Sequence, residues 1–456
     1  MRPSPNSEAL DAEPAGHRGH DYGVVLCGGG PAGTGAIVAA AQDGRLDELL
    51  EHGVCVIEQG ESLAAGSIGH YRITGNSPAR SFVRWLEAPE SRPLFEAVAA
   101  DPATDALHRK GSAYPALRLV GPYLERLGAA LQQILETHPA CSVALRTSVR
   151  SIRLLAGGGV RVIAEAEGDR PGAMSVTAAH AVVAMGGCAP PGLEELSLLP
   201  RLTLSRYRGK LCHVSDLIDD RVGVPLHLVD AVRETGSAVV VGGSHSAWSA
   251  AWILLHDRAF RGAGGDPPRV TVLHRSPLRF FYETAAQARA DGYAFDDPGD
   301  VCPSSGYVHR HAGLRSPDAR ALAISVTRST PGTAPVRAVR LVDDPNVRAD
   351  VRRSLDAAGL VVGAVGYTAQ LPELAWEDGR RLEPARSDRG LVVTAGAQLV
   401  AAGGAVVPEI LVYGLGAGLA VDSGVASEPS YTGRFDAVPL YQNEVGRIAL
   451  GSILPA

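Results

Sequence analysis

The chain has 456 residues, more than one ordinary domain of roughly 150 residues holds, so two or three packed units are predicted. With 45% apolar and 20% charged residues, the composition is that of a soluble globular protein and excludes the disordered and membrane classes. Lys and Arg total 43 against 49 Asp and Glu, a formal charge of -6, and this lack of basic excess disfavours nucleic acid as a partner.

The N-terminal segment, residues 1–20, has no apolar core of the kind found in signal peptides and is predicted to be a solvated tail. No uncharged apolar stretch approaches the ~18 residues that a membrane helix needs. The six cysteines show no CxxC or CxxxxC spacing, which indicates reduced thiols and neither a zinc clip nor a dithiol redox centre. We therefore expect a cytoplasmic protein with no membrane partner and no metal, and His17 and His20 as solvated tail residues.

The first part of the chain predicts a strand, a Gly-rich turn, a helix and a second strand that ends in an acid. The glycines suit a βαβ unit: Gly28 permits the tight turn, Gly30 lets backbone N–H groups approach a pyrophosphate, and Gly33 lets the helix pack closely on the strand. Glu58 ends the second strand, where it accepts hydrogen bonds from a ribose diol. The predicted dinucleotide-binding residues of this unit are Gly28, Gly30, Pro31, Ala32, Gly33 and Glu58.

The same pattern recurs about 210 residues later, since an apolar run at 238–241 leads into a second small-residue turn and another strand follows at 270–273. That strand is followed by Arg275 instead of an acid, which suits the 2'-phosphate of NADPH better than NADH. The alternative for Arg275 is a solvated surface arginine. His245 either contacts the NADP phosphates or only caps the helix. The predicted residues of this second site are Gly242, Gly243, Ser244, His245, Ser246 and Arg275.

Shorter signals predict further elements. Strands are expected at 160–165 and 178–185 around a turn at 168–172, at 360–365 before the pair Gly366-Tyr367, and at 409–413 before a turn at 414–418. A helix is expected at 442–454. Residues 283–335 are rich in Asp, Gly, Pro and Ser and predict long loops with little core, as lids, substrate walls or disorder.

Two dinucleotide sites in one chain indicate a flavin and a nicotinamide that exchange hydride. We predict an α/β fold with two Rossmann-like dinucleotide-binding domains, in which a FAD-binding domain (21–230 and 361–456) carries an inserted NADPH-binding domain (231–360).

The sequence resembles the class B flavin-dependent monooxygenases, in particular the N-hydroxylating branch that acts on amines such as ornithine and lysine. Residues 364–367 are similar to the family's ATGY pattern with Val365 for Thr, and residues 207–213 follow its FxGxxxH linker with Tyr207 for Phe. Residues 242–247 are close to its GxGxSA turn, with Ser244 as the departure. Residues 76–86 are similar to its stretch in front of the flavin ring, and residues 411–422 occupy the place where the family closes over the flavin.

The resemblance implies FAD reduced by NADPH, a C4a-hydroperoxide formed with O2, and oxygen transfer to a nucleophilic nitrogen while NADP⁺ stays bound. It adds Gly366 and Gly414 as cofactor-binding residues. No side chain needs to act as a nucleophile, so the catalytic residues stay unknown, with His213, Asn76 and Lys210 as candidates. For His213 the alternative is a buried, hydrogen-bonded histidine.

The resemblance therefore implies an NADPH- and FAD-dependent monooxygenase that N-hydroxylates a small amine or amino acid in secondary metabolism. Its partners are a small-molecule substrate and O2, and a homo-oligomer is left open. Three alternatives stay open: a flavoprotein reductase without oxygen transfer, a Baeyer-Villiger or S-oxygenating class B enzyme, and a scaffold that keeps a nucleotide without turnover.

Overall fold

The computed structural model describes residues 21–167, 172–329, 334–387, 390–417, 419, 427–434 and 436–454. The strands in this part form two main sheets with helices packed on them. The predicted tail, most of the predicted turn at 168–172 and part of the segment 411–422 lie outside the described residues.

The larger sheet has nine strands in the described part of the chain. Tyr22–Cys27 runs parallel to Val54–Ile57 on one side and to Ala173–Val183 on the other. Val24 and Val25 are both fully buried, as expected of a parallel strand covered on both faces. The strands of this sheet are Tyr22–Cys27, Val54–Ile57, Ser142–Ala144, Thr147–Leu154, Val160–Ala166, Ala173–Val183, Glu373–Ala375, Gln398–Val400 and Val406–Val412.

The smaller sheet has five strands, and all its pairings are parallel. In spatial order they are Leu211–His213, Leu360–Gly363, Ser237–Val241, Arg269–His274 and Val336–Arg340. The two sheets confirm the predicted α/β class with two Rossmann-like units. The smaller sheet also takes residues 211–213 and 361–363 from segments that we assigned to the FAD-binding domain, and the division into domains stays a prediction.

The longest described helix, Leu117–Thr137, buries an apolar stripe against the larger sheet's core because Val120, Leu124, Leu127 and Leu131 recur at helical spacing. The other helices of eight or more residues are Gly35–Gln42, Pro102–Lys110, Leu226–Thr235, His245–His256, Pro317–Arg328, Pro345–Ala357 and Glu444–Ile453. The shorter ones are Leu46–His52, Ala79–Val83, Ser91–Leu94, Glu96–Ala99, Val214–Ile218, Ala285–Ala290 and Val438–Tyr441.

Several predicted elements are confirmed with small shifts of their ends. The strands expected at 160–165 and 178–185 are Val160–Ala166 and Ala173–Val183. The C-terminal helix is Glu444–Ile453, and the strand before the last glycine turn is Val406–Val412.

The prediction of long loops with little core at 283–335 was wrong in part, because the segment contains the helix Pro317–Arg328. Ser316 caps this helix by accepting a hydrogen bond from the N–H of Ala319, and Pro317 occupies its first turn. Ala319 and Ala323 are fully buried against the helix His245–His256. Alanine contributes little to a helical pattern of hydrophobic residues, so the sequence did not predict this helix among the surrounding turn residues.

The C-terminal helix packs backbone to backbone on the helix Gly35–Gln42. A Cβ atom on Gly446 would lie 2.4 Å from the carbonyl oxygen of Gly35, and one on Gly35 would lie 2.3 Å from the carbonyl oxygen of Tyr441. This close approach fixes the position of the helix Gly35–Gln42, which follows the first glycine turn.

We expect Gly446→Ala to destabilise the protein by about 1–3 kcal/mol, because the two helices must move apart. Gly451→Ala is the matched control, since a Cβ on Gly451 meets no atom within 4 Å and alanine favours the helix by about 0.5–1 kcal/mol. Chemical denaturation followed by circular dichroism measures both changes. Equal stabilities of the two variants would contradict the packing argument.

Candidate functional site

The first glycine turn lies at the carboxyl end of Tyr22–Cys27, where the parallel sheet opens. Gly28 adopts φ +101°, which favours glycine, and its N–H donates to the carbonyl oxygen of Ile57 at 2.8 Å. A Cβ on Gly33 would lie 1.7 Å from the carbonyl oxygen of Gly28, so the turn and the helix touch through backbone. The N-terminus of the helix therefore faces whatever binds over the turn.

A large cleft opens over this turn, with about 1030 Å³ of unfilled space counting its open mouth. A Cβ on Gly30 would meet nothing closer than the Cα of Gly66 at 3.9 Å and would occupy space beside the cleft. A pyrophosphate can thus approach this backbone directly, and the residues present fit FAD. The cleft is lined by five of the predicted residues: Gly28, Gly30, Pro31, Ala32 and Glu58.

The carboxylate of Glu58 is held in place by two backbone groups. Its Oε2 accepts from the N–H of Gly29 at 2.6 Å, and its Oε1 accepts from the N–H of Gly60 at 2.6 Å. Each oxygen keeps a further lone pair, which can accept from a ribose hydroxyl. Binding of the ribose by Glu58 stays a prediction.

Sequence reasoning missed other parts of the cleft wall, which come from separate segments of the chain. Burial raises the pKa of Tyr71 and the pKa of Tyr441, so both hydroxyls keep their protons. The backbone N–H of Gln370 donates to the carbonyl oxygen of Gly186 at 3.0 Å. No local pattern identified these residues; the missed lining residues include Ser67, Ile68, Tyr71, Met185, Gln370 and Tyr441.

The second glycine turn repeats the backbone contact of the first. A Cβ on Gly242 would lie 2.2 Å from the carbonyl oxygen of Ala364, and the helix His245–His256 begins directly after Ser244. The ring of His245 lies beside the backbone of Thr74, and burial lowers the pKa of His245 to about 4. The ring is therefore neutral near pH 7 and contacts the FAD-binding side, a placement that neither reading of His245 anticipated.

Two arginines stand at the carboxyl ends of neighbouring strands of the smaller sheet. Arg275 follows Arg269–His274 and its Nη2 donates to the carbonyl oxygen of Ser197 at 2.5 Å, while the Nε of Arg340 donates to the carbonyl oxygen of Arg275 at 3.4 Å. Arg340 ends the next strand and was not predicted. Two guanidinium groups at this edge suit the 2'-phosphate of NADPH.

None of the three catalytic candidates is among the described residues that line the cleft. The Nζ of Lys210 donates to the carbonyl oxygens of Asp356 at 3.1 Å and Ala358 at 2.7 Å. Asn76 Oδ1 accepts from the backbone N–H of Arg315 at 3.1 Å. These hydrogen bonds connect both side chains to backbone groups of other segments. Catalytic roles for Lys210 and Asn76 stay predictions.

His213 lies where the smaller sheet meets the chain's return to the FAD-binding side. Its Nε2 donates to the carbonyl oxygen of Gly366 at 3.1 Å, and its ring packs edge-on against Tyr367 with centroids 5.0 Å apart. Burial lowers the pKa of His213, so the neutral form is favoured. This geometry is that of the alternative reading, a buried histidine held by hydrogen bonds.

The last two predicted cofactor residues flank these contacts. Gly366 takes φ +92° beside His213, and Gly414 takes φ +106° with its Cβ position 3.2 Å from the Cβ of Ala32. Gly414 thus lies against the first glycine turn, and its neighbour Leu415 lines the cleft.

No family model matches this chain. A curated relative, the CMP-5'-(3-aminopropyl)phosphonate hydroxylase of Streptomyces rubellomurinus, is 37% identical over 436 residues, which cover 95% of this chain and 97% of the relative.

Solved structures share the fold at low identity. The FAD-bound cadaverine monooxygenase of Erwinia amylovora has a TM-score of 0.57 and 13% identity, covering 96% of this chain and 95% of that one. The ornithine hydroxylase of Pseudomonas aeruginosa has a TM-score of 0.50 and 15% identity, covering 95% and 98%. These likenesses extend over the FAD- and NADPH-binding parts together.

We expect Gly30→Ala to fold normally but to bind FAD about tenfold or more weakly, because its methyl group occupies the path of the pyrophosphate. Gly33→Ala is the contrast, since its Cβ would collide with backbone and should reduce the yield of folded protein. Flavin titration of the apoprotein measures the affinity, and thermal unfolding of the apoprotein measures the fold. Unchanged FAD affinity in Gly30→Ala would refute this position for the pyrophosphate.

We expect Arg275→Ala to raise the KM for NADPH about tenfold or more and to leave the KM for NADH nearly unchanged, since a charge-assisted phosphate contact is lost. Arg269→Ala, at the opposite end of the same strand, should change neither value. Steady-state oxidation of the two nicotinamides measures the ratio. Equal losses with NADPH and NADH would rule out the 2'-phosphate role.

Proposed function

Because this chain belongs to the N-hydroxylating branch of the class B flavin-dependent monooxygenases, we propose that it hydroxylates the primary amine of an aminoalkylphosphonate linked to cytidine 5'-monophosphate. The enzyme uses FAD and NADPH. The products are the hydroxylamine, NADP⁺ and water.

The observation that carries this proposal is the 37% identity to a hydroxylase named for that substrate, spread over nearly the full length of both chains. The aligned region covers 95% of this chain and 97% of the relative, so it includes both nucleotide folds and the segments between them. The amine in the relative's substrate favours nitrogen as the oxygenated atom over sulfur or carbon.

When bound, FAD would supply the redox chemistry, in which NADPH provides two electrons, one atom of O2 goes to the amine nitrogen and the other leaves as water. The chain's own residues would supply binding and shielding. Gly30 and Glu58 would hold the pyrophosphate and ribose of FAD, and Arg275 with Arg340 would hold the 2'-phosphate of NADPH.

Apart from Glu58, which we assign to the ribose, the described residues that line the cleft carry no acidic or basic side chain. Ile68, Leu415 and Val438 exclude water from the cleft. Tyr71 and Tyr441 are protonated there, so neither places a phenolate beside the amine. An amine without an anionic neighbour loses its proton more readily, and only the neutral amine has the lone pair that takes up oxygen.

We further propose that the enzyme works in the cytoplasm. The six cysteines, all described, form no disulfide, as is usual in a reducing compartment. No helix in the described ranges is long and apolar enough to cross a bilayer. A homo-oligomer stays a prediction.

We expect purified, FAD-loaded protein to convert CMP-5'-(3-aminopropyl)phosphonate to a product heavier by one oxygen atom, with NADPH consumption matched to product. The kcat/KM should exceed that for cadaverine or ornithine about a hundredfold or more, since those amines lack the nucleotide and phosphonate contacts. Mass spectrometry and NADPH absorbance measure both quantities. Equal or better turnover of cadaverine or ornithine, or NADPH oxidation that yields only reduced oxygen, would overturn the proposal.

A further inference from the structure

Two arginine side chains near the start of the helix Pro317–Arg328 lie over aromatic rings. The guanidinium carbon of Arg315 is 4.2 Å from the ring centroid of Phe281, and that of Arg320 is 4.7 Å from the ring centroid of Tyr282. A guanidinium over a ring face is attracted by the ring's negative face and is held in a fixed plane. Both cations are therefore oriented before any ligand arrives.

Neither cation is neutralised by the described part of the protein. The Nε atoms of Arg315 and Arg320 are buried without a hydrogen-bond partner there, and no ion pair joins either guanidinium to a described carboxylate. Arg328, at the other end of the same helix, does pair with Asp291 at 3.8 Å. Burial lowers the pKa of Arg315 while the charge of Glu428 raises it, and a buried cation that lacks a direct ion pair is costly to keep.

The acidic groups that face this pair are engaged elsewhere. Glu428 is 1% exposed and its carboxylate accepts from two backbone N–H groups at 2.9–3.2 Å. Asp318 accepts from the hydroxyl of Thr74 at 2.6 Å. Glu283 is exposed to solvent, where its charge is screened. None of these three carboxylates forms an ion pair with Arg315 or Arg320, so both guanidinium forks stay available to a ligand.

The pair lies close to the flavin cleft. The backbone N–H of Arg315 donates to Asn76 Oδ1, and Asn76 is five residues from Tyr71, which lines the cleft. Five residues of extended chain span at most about 17 Å, so the two places are within reach of one elongated substrate. Tyr114, from the FAD-binding side, feels the charge of both guanidinium groups and is half-buried.

We propose that Arg315 and Arg320 form an anion subsite that binds the phosphonate oxygens of the substrate and selects amines that carry a phosphonate. This inference rests on the proposed function, in which the substrate is an aminoalkylphosphonate. The amine then extends toward Tyr71 and the flavin, while the anionic end is held between the two guanidinium planes.

The chemistry of the pair fits a phosphonate better than a single carboxylate. Each guanidinium offers a fork of N–H donors, and two forks match a tetrahedral group that has several oxygens. The subsite is separate from the arginines at the strand ends of the smaller sheet, Arg275 and Arg340, which we assign to NADPH. The pyrophosphate of NADPH is the other source of phosphate oxygens, and the experiment distinguishes it.

The test compares full-length, FAD-loaded wild type with Arg315→Gln and Arg320→Gln, and uses Arg328→Gln as the matched control on the same helix. Calorimetry measures the Kd of 3-aminopropylphosphonate, CMP-5'-(3-aminopropyl)phosphonate and 1-aminopropane. Anaerobic stopped-flow measures flavin reduction as a function of NADPH concentration.

We expect Arg315→Gln and Arg320→Gln each to raise the Kd of both phosphonates about tenfold to a hundredfold. The Kd of 1-aminopropane and the dependence of flavin reduction on NADPH concentration should not change. Arg328→Gln should match wild type with every ligand. If Arg315→Gln does not fold, Arg315→Lys keeps the charge and loses the fork, and should weaken the phosphonates by a smaller factor. Because Arg320→Gln removes the second guanidinium separately, it tests the subsite whatever the fate of the Arg315 variants.

The proposal is overturned if wild type binds neither phosphonate, if the variants bind both phosphonates as tightly as wild type does, or if the variants lose affinity for NADPH instead. These results are distinguishable from failure of the proposed function. If wild type binds phosphonates through Arg315 but produces no hydroxylamine, the proposed function is wrong and the subsite is supported. If hydroxylation occurs and neither variant changes it, the subsite is wrong and the proposed function is supported.

Discussion

The carbonyl oxygen of Gly28 lies where a side chain on residue 33 would begin, and this direct contact of backbone with backbone holds the first nucleotide fold together. Because strand, turn and helix touch without side chains between them, the helix N-terminus and the carboxylate of Glu58 are fixed on one side of the cleft. The C-terminal helix Glu444–Ile453 makes the same kind of contact, since Gly446 lets it pack directly on the backbone of the helix Gly35–Gln42. The contact of Gly242 with the carbonyl oxygen of Ala364 builds the second fold in the same way.

Residues 71–76, which include Tyr71 of the cleft, contact the second nucleotide fold. Arg72 pairs with Asp257 at 2.7 Å, and the hydroxyl of Thr74 donates to Asp318. The wall of the flavin cleft is thereby tied to helices of the nicotinamide-binding fold. The Arg72–Asp257 pair is about one-third exposed, so it positions the folds more than it stabilises them.

The segment between the strands Arg269–His274 and Val336–Arg340 adds aromatic residues and arginines to the second nucleotide fold. It is anchored by the C-terminal part of the chain, where the backbone N–H of Ser430 donates to the carbonyl oxygen of Gly299 at 2.9 Å. In the function that we propose, Arg315 and Arg320 would bind the phosphonate of the substrate, and the cleft that is lined by Tyr71 and Tyr441 would receive its amine.

The sequence by itself determined the two βαβ units and the residues at their turns, because a run of buried apolar residues, a glycine turn and a following helix are all local patterns. Glu58 and Arg275 could be identified for the same reason, as each follows directly on a strand. The tertiary structure alone decided that Tyr71, Gln370 and Tyr441 share one cleft, and that Arg315 and Arg320 lie over aromatic rings with no ion pair to a described carboxylate. Such contacts join segments far apart in the chain, and their distances depend on how whole elements pack, which no local spacing of residues contains.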